Sequence, residues 1–86
     1  MRVFIYYVLK EGKARGQCGR DIVLSVYENV NNEPIERIEV KINTAGYRGF
    51  ENEICRELER LGRIEKAPSH YINHKAEEYG FKVVAI

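Results

Sequence analysis

Lys10, Lys13, Arg15 and Arg20 fall within one short segment, KEGKARGQCGR, in which Glu11 is the only acid and Gly12, Gly16 and Gly19 are interspersed. Glycines let backbone amides come close to an anion. The segment is therefore a candidate grip for a phosphate backbone, with tyrosines nearby to stack on bases. Its spacing is not that of a phosphate-binding G-x-x-x-x-G-K-[ST] loop. The competing reading is a solvated hairpin tip whose charges serve solubility.

Metal and nucleophile chemistry have fewer candidates. His70 and His74 are four apart, and Glu77 follows three residues later. On a helix all three would lie on the face opposite Ile72, Ala76 and Tyr79. A His-x-x-x-His pair can bind zinc, but a stable site needs further ligands, so two solvated histidines are the expected outcome. Cys18 lies in the basic segment, where cations would lower its pKa, yet no base or partner thiol is placed beside it. Cys55 reads as a small buried hydrophobe. No Ser-His-acid triad, CxxC pair or dinucleotide fingerprint occurs. No catalytic residue and no cofactor is assigned.

The chain has 86 residues, 44% hydrophobic and 31% charged, with a net charge of +1. This is a globular composition, and the length suits one modest core rather than two. A near-neutral total excludes coating nucleic acid by bulk charge but not by a local patch. The abundance of Glu, Lys and Arg is thermophile-like. Two cysteines do not make a disulfide scaffold. The apolar run Val3–Leu9 is too short to span a membrane and lacks a cleavage pattern. A cytoplasmic protein with reduced thiols is expected.

The elements that would position these groups are legible. Val3–Leu9 reads as a strand apolar on both faces. Ile22, Leu24 and Val26 alternate with Val23, Ser25 and Tyr27 in a second strand. Asn31-Asn32-Glu33-Pro34 is a turn. In the third strand, 35–43, Ile38, Val40 and Ile42 alternate with Arg37, Glu39 and Lys41, as at a sheet edge. Phe50, Ile54, Leu58 and Leu61 form one helical stripe, with Gly62 as its cap. Ser69 is expected to cap a second helix. Residues 63–66 are a short strand or a link, and 81–86 form the last strand. The fold class is α+β: one domain over 1–86, β-β-β-α-(β)-α-β, with an antiparallel three-stranded meander and helices mainly on one sheet face.

Two helices cover one face of such a sheet. The other carries Phe4, Tyr6 and Val8, or else Val3, Ile5, Tyr7 and Leu9, with part of the second strand. A spare apolar face implies a partner, most simply a second copy. The expected function is a small non-enzymatic interaction module, homodimeric through Phe4, Tyr6, Val8 and Tyr27. The alternative is RNA or DNA binding through Lys10, Lys13, Arg15, Arg20 and Arg48. Catalysis by Cys18 or a histidine-held metal ranks third.

In order of elements the chain resembles the first part of the ribonuclease H-like fold: three antiparallel strands, a helix, a short strand, a helix and a strand, with a glycine-rich first loop. Nucleases of that fold hold two metals with carboxylates, one of them an Asp on the first strand. Here Val3–Leu9 carries no acid, Asp21 opens the second strand, and Glu51 or Glu53 alone is not a two-metal site. The resemblance therefore implies a small, non-catalytic version. Arg48-Gly49-Phe50 resembles a fragment of the RNA-recognition-motif signature, but it precedes a helix where that motif requires a strand. It reads as a turn and helix start.

Overall fold

The computed structural model describes residues 1–13, 19–44, 49–71 and 73–86, and for 73–75 only the backbone. Arg15, Cys18, Arg48 and Ile72 lie outside the described residues, as does the side chain of His74. The elements are β1 (Arg2–Glu11), β2 (Arg20–Val30), β3 (Glu33–Thr44), α1 (Phe50–Arg60), α2 (Asn73–Glu78) and β4 (Phe81–Ala85). This is an α+β arrangement of a four-stranded mixed sheet and two helices. Among the described residues, no helix is long and apolar enough to cross a membrane.

The sheet order is β3-β2-β1-β4. β1 pairs antiparallel with β2, and β2 with β3. β4 returns parallel to β1. The β2–β3 turn is tighter than the four-residue segment expected. Asn31 and Asn32 both take positive φ, 52° and 67°, the conformation of a two-residue turn that matches strand twist. β3 therefore begins at Glu33.

Direct partners in a sheet share a face, so the register assigns every side chain. Phe4 and Tyr6 lie with Leu24, Val26, Ile38, Val40, Phe81 and Val83 on the helix side. There they meet Phe50, Ile54, Cys55 and Leu58 of α1, Ile64 of the link and Ala76 of α2 in one core. Phe4 meets Phe81 edge-on at 6.1 Å, and Tyr6 meets Phe50 at 6.4 Å. Among α1's expected stripe, Phe50, Ile54 and Leu58 are buried but Leu61 is exposed. Leu61 sits at the C-cap, where Gly62 takes φ 75°. The Gly62 N–H bonds the Glu59 carbonyl and the Arg63 N–H bonds the Leu58 carbonyl, so the chain turns away before Leu61 reaches the core.

Between the helices one open alternative is decided and one expectation is corrected. Residues 63–66 form no strand. They are a link that buries Ile64 and carries the Arg63 carbonyl to the Arg2 guanidinium at 2.6 Å. The second helix starts at Asn73, not at Ser69. Tyr71 explains the delay. Its hydroxyl donates to the Val83 carbonyl at 2.7 Å and accepts from the Val83 N–H at 3.3 Å, and its own N–H donates to Asn52 Oδ1. Tyr71 is thus held against the outer edge of β4.

Candidate functional site

Among the described residues, no helix lies over the opposite side of the sheet. β1 contributes Val3, Ile5 and Tyr7, β2 contributes Val23, Ser25 and Tyr27, and β4 contributes Lys82 and Val84. The β3 row of this face is Arg37, Glu39 and Lys41. Val3, Ile5, Tyr7, Val23, Tyr27 and Val84 are half-buried, shielded only by their neighbours in the sheet. An apolar strip therefore runs across β4, β1 and β2, with a charged rim on β3.

Its centre is ordered by polar contacts. Tyr7 and Tyr27 stack with ring centroids 6.0 Å apart, and their hydroxyls lie 3.5 Å from each other. Ser25 stands opposite Tyr7 and is fully buried, with its hydroxyl accepting from Arg37 Nε at 2.8 Å. The Tyr27 hydroxyl, then Ser25 and the Arg37 guanidinium, favour the Tyr7 phenolate and draw its pKa below the ordinary phenol value.

This geometry corrects most of the expected dimer surface. Phe4 and Tyr6 are core residues, 0% and 6% exposed. The Tyr6 hydroxyl donates to Glu51 Oε1 at 2.9 Å, and burial, then that carboxylate, raise its pKa. Val8 pairs with Leu24 and so shares the helix side, though it is exposed near the strand end. Of the four expected residues, only Tyr27 is on the uncovered face. Ile5 and Tyr7 belong to the alternative set of β1, which is the one on the open face, and Val84 of β4 joins them there. Their signal was the phase of β2, where Asp21, Ser25 and Asn29 make one alternate set more polar than Ile22, Leu24 and Val26.

Of the expected basic residues, Lys10, Lys13 and Arg20 lie towards one end of the sheet, and Arg15 and Arg48 lie outside the described residues. β1 extends to Glu11, past the expected Leu9, and the added carboxylate lies 3.5 Å from Arg20. Lys10 and Lys13 are exposed. Lys10 and Lys41, with Gly12, Asp21 and Asn43, line a cleft of about 530 Å³. Asp21 accepts from Asn43 Nδ2 at 3.0 Å. Gly19 has a structural reason to be glycine. Its φ is 79°, and a Cβ there would lie 2.7 Å from the Thr44 carbonyl oxygen. That close approach joins the hairpin tip to the end of β3.

The metal and thiol candidates separate. His70 precedes α2, so His70 and His74 do not share a helix, and Glu77 lies 3.8 Å from Lys82. Among the described residues, no group of three His, Cys, Asp or Glu side chains is placed to hold a metal. Cys55 is buried, and burial, then Glu51, pushes its thiol up to about 12. A thiol held protonated in this way is a packing group rather than a nucleophile. Comparison of the chain with family models, curated proteins and solved structures finds no match.

Proposed function

We propose that the protein is a small non-enzymatic interaction module that pairs with a second copy through the open face of its sheet. The observation that carries this reading is the strip of Ile5, Tyr7, Tyr27 and Val84, which no element of the described chain covers. Two sheets stack face to face at about 10 Å by interleaving such side chains. The apolar centre would exclude water, and the rim of Arg37, Glu39, Lys41 and Lys82 carries both signs of charge, as a self-complementary surface needs. Sedimentation equilibrium of the wild type and Ile5→Glu tests it. The expected result is that Ile5→Glu halves the mass of the wild-type assembly, with both proteins folded by circular dichroism. A wild type that stays single-chain at high concentration overturns the reading.

The stacked Tyr7–Tyr27 pair beside Arg37 favours a second reading, single-stranded RNA or DNA laid on the same face. Rings would stack on bases, and Lys10, Lys13 and Lys41 would meet phosphates. Salt-sensitive binding that falls on Tyr27→Ala and Lys41→Ala supports it, and no mobility shift at low salt removes it. The architecture itself we read as a small, non-catalytic relative of the ribonuclease H-like fold. Three antiparallel strands in chain order and a fourth parallel to the first support that reading, whereas the missing strand at 63–66 departs from it.

A further inference from the structure

The two edges of the sheet are not equivalent. On β4 the Tyr71 hydroxyl occupies both the N–H and the carbonyl of Val83, so a further strand cannot pair there without displacing it. Among the described residues, no strand lies beyond β3. Among the described residues, no turn or loop backbone hydrogen bond ends on 35–43. Beside this edge, Glu39 and Lys41 share a groove of about 500 Å³ with Glu57, Arg60 and the exposed Leu61 of α1. An unpaired edge of this length is a template for another strand.

From the charge pattern of β3 we propose that this edge pairs antiparallel with β3 of a second copy, with Val40 on the twofold axis. In a pair that keeps all helices on one side, opposed residues must share a face. With Val40 opposite itself, Ile38 faces Ile42 on the helix side. On the open side Glu39 faces Lys41, and Arg37 faces Asn43. Every opposed pair from 37 to 43 is then apolar with apolar, acid with base, or cation with amide. Pro34, which has no N–H to offer a ladder, falls beyond the paired stretch. Moving the axis to Glu39 sets Glu39 against itself and Arg37 against Lys41. Moving it to Lys41 opposes two lysines. Moving it to Ile38 brings Pro34 opposite Ile42 and Glu36 opposite Val40. Edge charges of one sign would repel any neighbour. Alternating signs instead oppose like charges in the registers centred on Glu39 and Lys41 and match acid with base in the one centred on Val40.

The inference goes beyond face-to-face pairing: Glu39 and Lys41 border both surfaces, but Ile5 belongs to the open face alone. If both operate, the assembly holds four chains with two kinds of twofold axis. Sedimentation equilibrium on the full chain separates them. Glu39→Lys and Lys41→Glu should each weaken edge pairing about tenfold, because each breaks two symmetry-related ion pairs. The double exchange Glu39→Lys with Lys41→Glu should restore it to within about twofold, since the same pairs re-form with signs reversed. Circular dichroism checks the fold of each variant. Ile5→Glu should leave the edge pair intact. The inference is overturned if the wild type sediments as a single chain, if the single exchanges leave the mass unchanged, or if the double exchange fails to restore it. Loss of mass with Ile5→Glu alone would retain the face pairing and refute the edge. Loss with the charge exchanges alone would do the reverse.

Discussion

Phe4 and Ile5 are neighbours on β1 with similar apolar side chains, yet Phe4 is fully buried and Ile5 only half-buried. The same contrast holds along the strand for Tyr6 and Tyr7. The Tyr6 hydroxyl is engaged by a glutamate of α1, and burial raises its pKa. The Tyr7 hydroxyl faces another tyrosine on the uncovered side, and its pKa is lowered. Residue type is nearly constant across this comparison. What differs is the layer overhead. On one side α1, α2 and the link complete a core. On the other, a serine, two tyrosines and an arginine make do with one another.

The largest expected effect breaks that contrast directly. Phe4→Ala should cost about 3–5 kcal/mol of unfolding free energy, because it removes a buried ring from against Phe81. Tyr7→Ala should cost less than about 1 kcal/mol in the isolated chain, because no described element stands over that face. Urea denaturation of the two variants at low protein concentration measures both. Equal losses would mean that the open face is as consolidated as the covered one.

Tyr71→Phe is expected next, at about 1–2 kcal/mol. It keeps the ring but strips both hydrogen bonds from Val83. Amide hydrogen exchange at Val83 should accelerate while Val26, inside the sheet, stays protected. Unchanged exchange at Val83 would show that the strap before α2 does not guard the β4 edge.

Alkaline pH separates the faces by sign. Cys55 titrates from an ordinary 9.0 up to about 12 in the fold, and Tyr6 is raised above its ordinary 10.0. The unfolded chain therefore releases these protons first. Their contribution is complete below pH 9 and is lost as pH rises towards the folded values. Tyr7 on the open face works in the opposite direction, since its folded pKa is lowered. Stability measured from pH 8 upward should fall, and the Tyr6→Phe variant should fall less steeply than wild type. A flat profile would contradict the burial of both groups.

The smallest effect belongs to Arg37→Ala, which removes one hydrogen bond to Ser25 and costs about 0.5–1 kcal/mol. Its more telling readout is ultraviolet titration of the tyrosines. The lowest phenol pKa should move upward when the Arg37 guanidinium is gone. If it does not move, Tyr27 and Ser25 alone set the polarity of the open face.

Much of this fold follows from local chemistry. The alternation of Ile38, Val40 and Ile42 with Arg37, Glu39 and Lys41 is enough to make β3 a half-solvated edge strand. The spacing of Phe50, Ile54 and Leu58 makes an amphipathic helix, and Gly62 ends it without help from elsewhere. Asn31-Asn32 dictates a turn wherever it stands. The need for an uncovered sheet face likewise follows from counting apolar positions on two short helices. Which face is uncovered does not, because β1 is apolar on both sides. A slip of one residue in its pairing with β2 would exchange Phe4 and Tyr6 for Ile5 and Tyr7. That register is fixed by long-range contacts: Phe4 beside Val83 on β4, Tyr6 beneath α1, and an irregularity between Val8 and Lys10. Tyr71 teaches the same lesson. Its neighbours favour a helix start at Ser69, but its hydroxyl finds the unpaired backbone of Val83, a partner that exists only once the sheet has formed.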